Sequence, residues 1–95
     1  MRPHETEEGL KKKLRKLAKK DPVMWNAVYK KVKELKTCED PNSYKNLESP
    51  LQPFKRIHIT GSYILIFKYD QEQDLIKLYD FDHWDNIYKN LRNKV

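Results

Sequence analysis

Residues 54–88 read FKRIHIT (54–60), GSYILIFKYD (61–70), QEQD (71–74) and LIKLYDFDHWDNIY (75–88). Three strand-like runs are separated by turn signals, Gly61 with Ser62 at the first and Asp70 to Asp74 at the second. In the first run Lys55, Ile57 and Ile59 alternate with Phe54, Arg56 and His58. Alternation of period two sends these sets to opposite faces of a sheet. One face is largely apolar, and the other carries an arginine and a histidine two residues apart. The run from Tyr63 to Tyr69 is apolar on both faces, as a central strand covered on each side must be. His83 follows the third run, and Trp84, Ile87, Tyr88 and Leu91 then recur at helical spacing, which predicts a short terminal helix.

Upstream, Leu10, Leu14, Leu17 and Ala18 predict an amphipathic helix over Leu10–Lys20, with Thr6 as N-cap and Glu7 and Glu8 near the positive end of its dipole. Asp21-Pro22 marks a boundary, because proline disfavours helix at the residue before it and suits the first turn of the next. Trp25, Val28, Val32 and Leu35 line one side of a second helix. Two helices joined this tightly form an αα-hairpin whose apolar stripe covers one face of the sheet. Met1 to Gly9 is polar, so the expectation is either a very short first strand or none, with His4 in a tail. Thr37 to Pro53, with Pro41, Pro50 and Pro53, reads as a loop. The fold class is therefore α+β: the hairpin on a twisted antiparallel sheet of three to four strands, in a single domain over residues 1–95.

Composition bounds the function. Charged residues reach 36% and the mean hydropathy is −0.98, and the longest apolar runs fall well short of a membrane span. The expectation is a soluble, cytoplasmic protein with no membrane partner. Cys38 is the single cysteine, so no intrachain disulfide can form. His4, His58 and His83 have no ligand spacing with Cys38, and the chain has two glycines in all. Neither a metal site nor a phosphate-cradling loop is expected, and no cofactor. Charge is uneven: residues 10–36 hold eleven lysines and arginines against Asp21 and Glu34, a surplus of nine. Lysines of this kind either solvate two helix faces or form an electrostatic footprint for RNA phosphate or an acidic protein.

The order Lys-Arg-Ile-His-Ile, Gly-Ser-Tyr-Ile-Leu-Ile-Phe-Lys-Tyr-Asp, Asp-Phe-Asp-His-Trp-Asp-Asn-Ile-Tyr resembles the RelE/ParE superfamily of prokaryotic toxins, nearest its YafQ-like branch. The resemblance spans about Leu10 to Lys89. It implies a toxin of a type II toxin–antitoxin system: an endoribonuclease cutting messenger RNA on the ribosome, restrained by a cognate acidic antitoxin. It also implies that His58 and His83 belong to an active centre. Leu47, eleven residues before His58, matches a leucine of those relatives. Lys45 then falls where that branch often has a further histidine, and Ser62 where it can carry an acid. ParE-like relatives, which poison DNA gyrase without a nucleolytic centre, offer an alternative, as does a degenerate member that only binds an antitoxin or the ribosome.

Metal-independent RNA cleavage needs a base for the 2′-hydroxyl, an acid for the departing 5′-oxygen and cations for the charged phosphorane. Histidine fills either proton-transfer role near neutral pH, and arginine supplies a permanent, bidentate charge. The expected catalytic set is Arg56, His58, His83 and Lys45. Lys55, Tyr63, Trp84 and Tyr88 are the expected substrate-binding residues, the aromatics by stacking on unpaired bases. Each also has a structural reading: aromatics fill cores, and His83 can pair with Asp82 or Asp85.

Overall fold

The turn residues named above do divide the chain. A computed structural model describes residues 1–47, 51 and 54–94, the side chains of 91–94 excepted. Its strands are β1 (His4–Thr6), β2 (Lys55–Thr60), β3 (Tyr63–Asp70) and β4 (Leu75–His83), and its helices α1 (Glu8–Lys20), α2 (Pro22–Thr37) and α3 (Trp84–Lys94). Ser49, Pro50 and Pro53 of the expected loop, and the side chain of Leu91, lie outside the described residues.

Asp21 makes the hairpin. Its backbone N–H closes α1 on the Leu17 carbonyl, and its carboxylate accepts from the Met24 N–H at 3.1 Å to open α2, with Pro22 in the first turn. At the start of α1 the cap is Glu7 rather than Thr6. The Glu7 carboxylate accepts from the Gly9 N–H, while Thr6 still belongs to β1.

The strands lie in the order β1-β4-β3-β2. The sheet is mixed, not wholly antiparallel: β1 runs parallel to β4, pairing His4 with Ile76 and Thr6 with Leu78. His4 is thus a strand residue and not part of a tail. Of the two alternatives the sequence left, a very short first strand is the one formed. Pattern alone does not decide it because His-Glu-Thr has no apolar face, and backbone bonds and one arginine hold it instead. The Glu7 N–H bonds the Leu78 carbonyl, and the Arg2 N–H bonds the Lys36 carbonyl. The Arg2 guanidinium donates to Leu35, Cys38 and Glu39 carbonyls at the C-terminus of α2, and to Asp74 at 2.7 Å. A cation there also meets the negative end of the helix dipole.

Two apolar clusters follow from the alternation. Leu10, Val28 and Leu35 of the hairpin pack with Ile57, Ile59, Leu65, Phe67, Ile76, Leu78 and Phe81 of the sheet. On the opposite face Ile64 and Ile66 meet Leu47, Leu51 and Ile87, with Phe54, Tyr79 and Tyr88 at the margin. Ile64, Leu65, Ile66 and Phe67 are all buried, each contributing about 2 kcal/mol. Strand β3 is therefore the element that both layers share.

A cation-lined groove at the edge of the sheet

Strand β2 is the outer strand on its side, and the segment before it folds back along part of that edge. Leu47 N–H bonds the Phe54 carbonyl at 2.8 Å, Arg56 N–H bonds the Lys45 carbonyl at 3.0 Å, and Asn46 bridges to Lys55. The expected loop thus contains a sheet-pairing stretch, preceded by a single helical turn at Pro41–Ser43. The Lys55 ammonium holds this stretch, donating to the carbonyls of Asn42 (3.3 Å) and Tyr44 (3.2 Å) and to the Asn46 side chain (2.8 Å). An ammonium has three protons. Lys55, expected to bind substrate, uses them on its own chain and so sets Lys45 beside Arg56.

Pairing across β2 and β3 matches Arg56 with Ile66 and His58 with Ile64. Paired residues share a face, so Arg56 and His58 project from the face turned away from the hairpin, while Ile57 and Ile59 lie beneath it. Over the edge of β2 runs an open groove of about 460 Å³. Lys45, Arg56 and His58 line it, with Ser43, Tyr44, Ile57 and Ile64, and α2 contributes Lys31 and Glu34. Three cations and one histidine facing a common space is an arrangement suited to a phosphodiester.

The His58 ring is oriented. Its Nε2 lies 2.6 Å from the Gly61 carbonyl oxygen. A carbonyl only accepts, so Nε2 carries a proton and Nδ1 is the atom left to exchange one. The turn that aims this carbonyl places Gly61 at φ 57, a left-handed conformation that glycine adopts without the Cβ penalty.

His83 lies elsewhere. It ends β4 opposite Tyr63, and the Tyr63 ring stacks on Phe81 at 5.5 Å and meets His83 edge-on at 5.9 Å. Phe81 belongs to the hairpin-side core, so His83 and Tyr63 share that face, and His83 is not among the residues lining the groove. Its Nδ1 accepts from the Asp85 N–H at 3.3 Å. Trp84, 47% exposed, meets Tyr88 edge-on at 5.9 Å. The two neighbourhoods touch through one turn: Gly61 offers its carbonyl to His58, and Ser62 accepts from the Trp84 N–H at 2.9 Å.

Asp85 Oδ2 lies 3.7 Å from His83 Nδ1, whereas Asp80 and Asp82 are engaged by a lysine. Lys13 Nζ donates to Asp80 (2.7 Å), to Asp82 (3.2 Å) and to the Phe81 carbonyl (3.0 Å). Burial pushes the Asp82 carboxyl up, but bonds from Asn86, the His83 N–H and Lys13 outweigh it and leave it below the usual carboxylate range. Among the described residues no three His, Cys, Asp or Glu side chains gather as a metal site would require.

Lys31, Glu34 and Tyr44 are groove residues that the sequence does not single out. Lys31 and Glu34 sit between the apolar positions of α2, where charged residues ordinarily face solvent. Only the placement of β2 alongside α2 gives them a common space with Arg56.

No family model matches the chain. Over 81 residues it is 44% identical to a protein of Methanocaldococcus jannaschii named "Putative toxin RelE4", covering 85% of this chain and 84% of that one. It is also 39% identical over 79 residues to an uncharacterized protein of Methanosarcina mazei, covering 83% and 90%. Among solved structures, a metal-bound toxin from Helicobacter pylori superposes with a TM-score of 0.70 at 22% identity, over 90% of this chain and 98% of that one. YafQ from Escherichia coli gives 0.69 at 22% over 93% and 99%. A chain of the RelBE2 toxin–antitoxin complex from Mycobacterium tuberculosis gives 0.62 at 21% over 86% and 96%.

Proposed function

We propose that this chain, which belongs to the RelE family of toxins of toxin–antitoxin systems, is a metal-independent endoribonuclease that cuts messenger RNA on the ribosome. The observation that carries the reading is the groove in which Arg56, Lys45 and His58 face one space. Arg56 and His58 stand about 7 Å apart along β2, two residues at about 3.3 Å each, so both can address one phosphate. Arg56 offers a fork to two phosphate oxygens and Lys45 adds a point charge, stabilising the phosphorane as it forms. His58, anchored through Nε2, exchanges a proton through Nδ1. His83, Tyr63 and Trp84, on the far side of the Gly61–Ser62 turn, receive an adjoining nucleotide, with the exposed rings as stacking surfaces. Tyr88 supports Trp84. An acidic antitoxin is the restraining partner, drawn to the basic hairpin.

Primer extension of messenger RNA on translating ribosomes tests this reading. The wild type should produce internal stops. His58→Ala should slow cutting by about 10² to 10⁴, whereas His83→Ala should raise KM more than it lowers kcat. Intact message with the wild type, or cutting by His58→Ala at the wild-type rate, would overturn it.

A further inference from the structure

We infer that Glu34 is the general base of this cleavage and His58 the general acid, an assignment that rests on the nuclease reading above. The reaction moves two protons, so two titratable groups must face the scissile phosphate. Of the charged or titratable side chains lining the groove, Lys31, Lys45 and Arg56 belong to types that are cationic at neutral pH. Burial and then the Glu34 carboxylate push the Tyr44 phenol well above its usual range, so it stays a donor. His58 and Glu34 remain.

The placement of Glu34 supports the role. It lies in the last turn of α2, where a carboxylate opposes the helix dipole. Asp21 is the other acid in a stretch of eleven cations. One carboxylate oxygen accepts from the Tyr44 hydroxyl at 2.5 Å, and the other lies 3.6 Å from the Lys31 ammonium. A carboxylate has about four acceptor sites. With the side chain 47% exposed, others remain open to a substrate hydroxyl. Tyr44 is itself fixed, its ring edge-on against Phe67 at 5.7 Å, so the carboxylate is held in one orientation.

The step balances. Glu34 takes the proton of the 2′-hydroxyl as the 2′-oxygen bonds phosphorus. The bond from phosphorus to the 5′-oxygen breaks, and that oxygen takes the Nδ1 proton of a protonated His58. The ends are a 2′,3′-cyclic phosphate and a 5′-hydroxyl, and water returns the proton from Glu34 to His58.

Glu34→Gln keeps an oxygen for Tyr44 but cannot take a proton, whereas Tyr44→Phe keeps the carboxylate. On the RNA that the wild type cuts, Glu34→Gln should lose a factor of about 10² to 10⁴ in kcat while melting at an unchanged temperature. The acid limb of the wild-type pH–rate profile should vanish in Glu34→Gln and persist in Tyr44→Phe. The groups that can shape that limb are Lys31 on α2 and Tyr44 on the folded-back segment, in contact with Glu34, and Lys45, Arg56 and His58, which line the same groove. Glu34→Gln cutting at the wild-type rate, or keeping the acid limb, would overturn the assignment and leave the nuclease reading standing. A wild type that cuts no RNA would overturn both.

Discussion

Lys13 shows how one side chain ties a helix to the far end of a strand. Its ammonium joins Asp80, Asp82 and the Phe81 carbonyl where β4 extends past the short β1. Burial lowers its pKa, but the two aspartates outweigh that and raise it above the ordinary lysine value. A raised lysine contributes stability below its unfolded pKa, and that is lost as pH rises through the folded one. The depressed Asp82 contributes above the unfolded carboxyl value, and that is lost as pH falls through the folded one. The pair therefore stabilises from above about pH 4 to about pH 10. Lys13→Met should cost about 1 kcal/mol at pH 7, the upper end for half-exposed pairs, and less at pH 3, as read by urea unfolding at the two values. An equal cost at both would mean that lost packing, not charge, is responsible. At this scale the sequence was partly legible. The shared face of Arg56 and His58 follows from a period of two. The face of His83 does not, because it depends on inter-strand register, which shifts at Ile66/Phe67 in the β3–β4 pairing.

Between residue and fold stands the folded-back segment 42–47, which makes the groove possible. Lysine 55 is its fastener. Replacing Lys55 with Met removes three bonds to the segment while leaving the alternation of β2 intact. The Leu47 and Arg56 amides, both bonded across this edge, should exchange hydrogen about tenfold faster, equivalent to about 1.4 kcal/mol of local stability. Cleavage should fall with them, since Lys45 loses its place beside Arg56. Unchanged exchange at both amides would show that the backbone bonds suffice. The helices and three longer strands were legible because burial imposes periodicity on them. This segment was not, and β1 was legible only as one of two alternatives: one is stitched by a lysine and the other by Arg2, and neither stitch leaves a repeating pattern.

For the whole molecule, charge and shape act together. The hairpin carries a surplus of nine positive charges, and Lys31 brings part of it to the groove. Binding of an acidic antitoxin should weaken as salt rises, because the screening length falls from about 10 Å at 0.1 M to about 3 Å at 1 M. Titration calorimetry at those two salt concentrations reads this directly; equal affinity would indicate a mainly apolar contact. Such a contact has a place to form, an apolar hollow of about 210 Å³ where α2 meets β1, lined by Trp25, Val28, Val32 and Leu78. The α+β layering and the two faces of the sheet could be read from the chain, but which lysines border the groove depends on how α2 lies along β2. The central claim is that RNA is held over the edge of β2. An oligonucleotide with 2′-deoxyribose at the cut site lacks the nucleophile and stays whole, so its binding can be mapped by NMR shifts. Lys45, Arg56, His58 and Glu34 should shift most, with Tyr63 and Trp84 next. Shifts confined to the hollow between α2 and β1, with the β2 edge unmoved, would contradict the account.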